Sequence, residues 1–190
     1  MTSVENAYGN SNLSVVILKI GIAFLFACCG YWISYLMGGE SVFAKWLSAP
    51  FLGPTIFGGI QWIFWIVLSK EICGKYYGIV TALFMTGFYL MTEPWFSVVV
   101  PVWYSVIGII SGFLIGYLTE RFNGAVGLSA FMVFNWICFY LFAKYPSWGP
   151  QYTIDGVIIA FIISIISGFI GDIVARYIAK FIKPYFQSIA

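Results

Sequence analysis

Apolar residues run through this chain in long blocks, broken by short polar or charged stretches. Six blocks stand out: Leu13–Met37, Phe51–Leu68, Tyr76–Met91, Ser97–Leu118, Ala125–Phe142 and Thr153–Ile182. A helix crossing about 30 Å of hydrocarbon needs about 20 residues at 1.5 Å each. The blocks meet or approach that length; the third is short and the sixth long. β-Barrel strands would alternate apolar and polar residues, and these blocks do not. The pattern therefore predicts an all-α fold, a single membrane domain over residues 1–190 built as a bundle of six transmembrane helices. The end of the last block, "RYIAKFIKPYF", is expected to leave the bilayer as a basic amphipathic turn before Pro184.

Composition strengthens this picture. Of 190 residues, 62% are hydrophobic and 8% charged, where soluble domains carry about a quarter charged residues. A mean hydropathy of +0.95 implies a polytopic membrane protein. The first dozen residues, "MTSVENAYGNSN", have neither a basic region nor a cleavage site after a short apolar core, so the first block reads as a retained helix.

Charge sets the expected orientation. With six spans both termini share a side, and that side collects Lys19, Lys70, Lys75, Arg121, Arg176, Lys180 and Lys183 against Lys45 and Lys144 on the other. Seven against two places both termini in the cytoplasm of a plasma-membrane, multi-pass protein. The outer loops are then residues 38–50, 92–96 and 143–152, carrying Trp46, Trp95, Tyr145 and Trp148, with Tyr152 at the edge of the third. The inner loops, "SKEICGK" and "TERFNG", are short and charged. A net charge of +2 and the lack of any long basic run exclude nucleic acid as a partner.

Small residues recur at helical spacing: Gly108, Gly112 and Gly116 in the fourth block, Ser167, Gly171, Ala175 and Ala179 in the sixth, Ala23 and Ala27 in the first. Such ridges let helix backbones approach closely. Internal packing is the favoured reading for the fourth block; a ridge facing lipid would instead be a docking face for a partner.

Polar residues inside the blocks are few. Asp172 and Arg176 are spaced for an i,i+4 salt bridge. Asp155 is either a first-turn acid favoured by the helix dipole or a site residue. Asn135, beside Trp136, either bonds a neighbouring helix or lines a site. Glu93 lies in the hairpin tip "LMTEPWFSVVVP", where Pro94 turns the backbone away from helix. It is either a solvated loop acid or, with aromatic walls around it, the partner of a cationic or hydrogen-bonding heterocycle.

Absent chemistry narrows function. There are no histidines, no P-loop, no paired acidic motif and no Ser–His or Cys–His constellation. Cys28, Cys29, Cys73 and Cys138 form no CxxC pair and read as small hydrophobes. Neither an enzyme nor a cofactor- or metal-binding protein is expected. Energy for any uphill transport must come from a partner.

Six helices in this length, termini inside, an aromatic outer mouth and no motor resemble the S component of energy-coupling factor (ECF) transporters. The AxxxA at Ala23 and Ala27 is similar to the small-residue motif of the S-component first helix. The ending "SIISGFIGDIVARYIAKFIKP" resembles the family's glycine-bearing last helix and short basic tail. The stretch "FLGPTIFGGIQWIFWIVLSKEICGKYYGIVTALF" looks like the second and third helices of the YkoE-type branch, linked to thiamine or its hydroxymethylpyrimidine precursor. Glu93 and the glycines from Gly108 to Gly116 match the layout of that branch. The resemblance implies capture of a small vitamin-like solute from outside, tilting of the subunit, and release driven by partner ATPases. It implies substrate contacts at Trp46, Glu93, Trp95, Asn135, Trp136, Trp148, Tyr152 and Asp155, and a face at Ala23 and Ala27 for the transmembrane coupling subunit. The alternative is a non-catalytic structural or accessory subunit of a larger membrane complex, which would fill the mouth with its own side chains.

Overall fold

The computed structural model describes residues 2–36, 56–92, 102–142 and 154–187, all but the turn residues being helical. Six rods follow one another: α1 (Thr2–Leu36), α2 (Ile56–Cys73), α3 (Tyr77–Thr92), α4 (Val102–Arg121), α5 (Gly124–Phe142) and α6 (Ile154–Gln187). Among the described residues no strand occurs. Leu13–Ser34, Ile56–Cys73 and Ile154–Phe186 are long and apolar enough to cross a membrane, while Tyr77–Met91 and Gly124–Cys138 are shorter apolar helices.

The arrangement is an arc around a central rod. α1 packs on α3, α3 on α4, α4 on α5 and α5 on α6, while α2 touches all five. Within α2 only Ile60 is exposed. By contrast α1 and α6 expose large apolar side chains along their length, from Leu13 to Leu36 and from Ile154 to Tyr185. In water such a surface would be a severe liability; against lipid tails it costs nothing. In lipid the hydrophobic drive between helices would vanish, leaving close backbone packing and polar contacts to hold such a bundle.

Glycine supplies the close packing. On α4, Gly108 faces Leu90, Gly112 faces Thr86, and Gly116 lies against Ile79 and Ala82, so this ridge packs on α3 as expected. The sixth-helix ridge meets α2. A side chain on Gly171 would strike the backbone of Gly59, and one on Gly59 would strike the Ser167 carbonyl. At that contact α2 widens into a π-helical turn, Gly59–Ile63. The Ser167 hydroxyl enters the turn from α6, accepting from the Gly59 N–H at 2.9 Å and donating to the Ile56 carbonyl at 2.7 Å. A side chain inserted into the backbone ladder is one of the few physical causes of a helix irregularity.

Two short turns share one end of the bundle, and their backbone groups are met by side chains from other helices. Gly74 at φ 103° ends α2, returning its N–H to the Lys70 carbonyl at 2.9 Å. Tyr76 follows at φ 76°, an uncommon conformation for a residue with a side chain. The Glu120 carboxylate, from the end of α4, accepts from the N–H groups of Tyr76 (2.8 Å), Gly78 (2.7 Å) and Ile79 (3.2 Å). It thus caps the start of α3 and holds the left-handed residue. Lys70 Nζ donates to the Glu120 carbonyl at 3.0 Å, tying the end of α4 to α2. At the second turn Asn123 caps α5 through the Val126 N–H at 2.9 Å, and Asp172 accepts from the Gly124 N–H at 3.4 Å. Arg176 then bridges Asp172 and Glu71, both at 2.9 Å. The expected i,i+4 pair is present, and it belongs to a network across α2, α5 and α6.

Several boundaries differ from expectation. α1 starts at Thr2 rather than Leu13. The second helix runs to Cys73, so "SKEIC" is helix rather than loop; Lys70 and Glu71 find partners on α4 and α6, and Ser69 donates to the Tyr77 carbonyl at 3.1 Å. α6 continues through Pro184 to Gln187 instead of ending before the proline.

Two stability predictions follow from these contacts. Gly171→Ala should destabilise by about 1–3 kcal/mol through overpacking against the Gly59 backbone. Gly21→Ala, which meets nothing within 4 Å, should be neutral or stabilising by up to about 1 kcal/mol. Thermal unfolding of both variants in mild detergent compares them. Glu120→Ala orphans three N–H groups at a partly exposed site and should cost about 1–3 kcal/mol, Glu120→Gln less, by the same measurement.

Candidate functional site

The end opposite the two short turns is where α1, α3 and α5 finish and α2, α4 and α6 begin. Five of the sequence candidates, Trp46, Glu93, Trp95, Trp148 and Tyr152, lie outside the described residues. The described interior behind that end is aromatic. Trp62 of α2 stacks on Tyr89 of α3, with ring centroids 5.2 Å apart and planes 11° from parallel. Phe131 of α5 makes a tilted contact with Trp62 at 5.5 Å, and Tyr31 of α1 meets Tyr89 edge-on at 5.4 Å. Phe88 adds a tilted contact to Tyr31 at 5.7 Å. Offset stacks and edge contacts of this kind suit ring quadrupoles and hold the rings rigidly. The wide turn of α2 carries Trp62, so the Ser167 contact on one side of α2 fixes the aromatic group on another.

Of the remaining candidates, Asn135 is buried. Its Nδ2 donates to the Phe131 carbonyl at 2.8 Å, and its Oδ1 accepts from the Ser111 hydroxyl of α4 at 3.2 Å. Of its two open readings, the structure thus supplies the bond to a neighbouring helix. Trp136, next in sequence, is half-buried. Asp155 is exposed in the first turn of α6, where a carboxylate favours the helix dipole. The structure therefore buries Asn135 between α5 and α4 and leaves Asp155 at the surface.

Ala23 and Ala27 are both fully buried within the chain, and the Ala23 carbonyl accepts from Thr81 of α3 at 3.3 Å. Within this chain Ala23 meets α3 and Ala27 belongs to the core cluster with residues of α2 and α3. The small residues make room for a helix of the same chain, and none of their surface is left for a partner. Among the described residues no cluster of His, Cys, Asp or Glu could hold a metal ion, and all four cysteines are free thiols. Cys73 and Cys138 are buried as expected of small hydrophobes, whereas Cys28 is half-buried and Cys29 exposed.

Two features were not singled out from sequence as site candidates. One is the aromatic group itself, whose members come from four helices and share no motif. The other is a groove of about 380 Å³ at the open side of the arc, between α1 and α6 and floored by α2. Ile33, Ile60, Phe64, Trp65 and Ile170 line it, with Ser167 at its polar point. The Ser167 hydroxyl already has two partners, so the groove is apolar in effect.

No protein-family model, curated protein or solved structure matches this chain.

A double-mutant cycle should detect the Ser111–Asn135 bond. Ser111→Ala and Asn135→Ala are each expected to destabilise, with a coupling of about 0.5–1.5 kcal/mol in detergent unfolding.

Proposed function

We propose that the chain is a six-span plasma-membrane subunit, with both termini in the cytoplasm, that captures a small heterocyclic solute at its outer end. The observation that carries this reading is the Trp62–Tyr89 stack, backed by Phe131 and ringed by Tyr31. It lies at the end of the bundle from which the loops bearing Glu93, Trp95, Trp46 and Trp148 depart. A rigid aromatic group, in a chain whose adjoining loops also carry a carboxylate and further indoles, suits a flat, cationic or hydrogen-bonding ring. The opposite end supports the same orientation: Lys70, Lys75, Arg121, Arg176, Lys180 and Lys183 cluster there, as cytoplasmic ends do.

The resemblance to S components of energy-coupling factor transporters extends this to uptake of a thiamine-related vitamin, with a coupling subunit and ATPases as partners. Tilting of the subunit would carry the solute inward. With Ala23 and Ala27 buried, the coupling surface would be another face. The groove between α1 and α6 supports a second reading, an accessory subunit that receives a partner's transmembrane helix there.

Intrinsic tryptophan fluorescence of detergent-purified protein, titrated with thiamine, hydroxymethylpyrimidine and a vitamin panel, tests the first reading. Saturable quenching at micromolar ligand or below is expected, weakened at least tenfold in Glu93→Gln. A flat response to every solute from folded wild-type protein would refute capture and leave the accessory reading, for which co-purification of native partners is the next measurement.

A further inference from the structure

The groove between α1 and α6 combines a narrow apolar bore with a basic end. Its walls include Ile33 of α1, Ile60 and Trp65 of α2, and Ile170, Val174 and Ile178 of α6. Ile60, Ile170 and Val174 are exposed, so the described residues leave the groove open. The Ser167 hydroxyl at its polar point is already committed to the α2 backbone. An occupant with polar groups along its length would bury them without partners, so the groove suits an apolar one.

Its dimensions narrow the choice further. The lining residues of α6 run from Ser167 to Ile178, about 16 Å of helix. A volume of about 380 Å³ over that length gives a cross-section of about 24 Å², roughly 5 Å across. One hydrocarbon chain, whose carbons meet their neighbours at about 4 Å, fills such a width. A helix with its side chains is about 10 Å across and would bridge the groove without filling it. The length is about half of the roughly 30 Å of hydrocarbon in a bilayer, the depth of one leaflet.

The end of the groove at Ile178 is basic. Ile178 and Ile182 of α6 and Ile22 of α1 all pack against the buried cluster of Leu68, Ile72, Cys73 and Ala179. Lys183 follows Ile182, and Lys19 lies one turn before Ile22 on the same face of α1. Both lysines are half-buried, and exposed Lys180 adds a further charge nearby. The Lys19 Nζ lies 6.0 Å from the centre of the Tyr77 ring. Among the described residues the ion pairs are both made by Arg176, so these lysines have no carboxylate partner. Basic residues bordering an apolar gap between membrane helices complement the charge and shape of an anionic lipid.

Resting on the membrane reading of the chain and not on solute capture, we propose that this groove binds one acyl chain of an anionic phospholipid of the bilayer. Lys19 and Lys183 hold the negative headgroup. The apolar walls take the chain whatever the headgroup, and the lysines supply the preference for negative charge.

The test uses the full chain extracted from membranes in mild detergent. It is titrated with phosphatidylglycerol and with phosphatidylcholine carrying the same dibrominated acyl chains. Bromine quenches indole fluorescence at contact, so a chain lying beside Trp65 is read directly, and native mass spectrometry counts the lipids retained. Phosphatidylglycerol should quench saturably, remain bound at one per chain, and bind at least tenfold more tightly than phosphatidylcholine. Val174→Phe and Ile60→Phe narrow the groove from two walls at exposed positions; each should weaken both lipids at least tenfold with Tm unchanged. The double variant Lys19→Gln, Lys183→Gln should bring phosphatidylglycerol down to the level of phosphatidylcholine. Undiminished binding in either phenylalanine variant overturns the inference, as does a Tm several degrees lower in both. A headgroup preference that survives the double variant overturns it too, and so does wild type that retains no lipid or carries a co-purified polypeptide in its place. Each of those results leaves solute capture untouched. A chain recovered in the soluble fraction without detergent overturns the membrane reading and this inference together.

Discussion

The contact between α2 and α6 at Gly59, Ser167 and Gly171 is the constraint on which the rest of the bundle depends. α2 is surrounded by the other five helices, so its axis sets where each of them can lie. Two glycines bring its backbone against α6 with no side chain between. At that distance a serine hydroxyl can reach both a donor and an acceptor of the α2 main chain, and the helix takes a wide turn around it. The turn then sets the direction of Trp62, and through it the stack with Tyr89 and the contact with Phe131. One hydroxyl inserted from behind thus aims an aromatic group assembled from four helices.

The charged end obeys a different constraint. Helix termini carry backbone groups with no partner inside the helix, and short turns leave little room for water to serve them. Here side chains from neighbouring rods do so. Glu120 serves the start of α3, Asp172 the start of α5, and Lys70 the end of α4. Glu120 and Lys70 bind backbone groups, Asp172 binds both a backbone N–H and Arg176, and Arg176 also binds Glu71. The Arg176 bridge, partly exposed, adds orientation more than energy.

Local features of this architecture were legible in the sequence, and relational ones were not. The six apolar blocks correspond to the six rods because block length alone decides them. The Gly108–Gly116 ridge and the Asp172–Arg176 pair were readable because each lies within one helix at a fixed spacing. The end of α2 was misplaced because "SKEIC" is polar in isolation; its lysine and glutamate stay helical only through partners on α4 and α6. Ala23 and Ala27 declared a close-packed face without declaring whose helix fills it. The Ser167–Gly59 bond joins residues 108 positions apart, and the Glu120 cap spans more than 40, so no local pattern could announce either. Asn135 carried two equal readings in the sequence, and its bond to Ser111, 24 positions away, is one that no local pattern announces.

Rigidity connects the two ends. Under the solute-capture proposal, the site could reach alternate sides only by deforming or by moving whole. Deformation would require helices to slide past one another, and α2 prevents that by meeting α6 through interlocked backbone, with α3 and α4 likewise in close glycine contact. One of the two turns ties α2, α3 and α4 through Glu120 and Lys70; the second, at the same end, ties α2, α5 and α6 through Asp172, Arg176 and Glu71. Helix α2 belongs to both groups, so the bundle closes into one mechanical body. The outer surfaces of α1 and α6 are apolar and present few charges to anchor the body at a fixed tilt. A unit stiff within and smooth without would, under that proposal, turn as a whole in a lipid layer rather than deform.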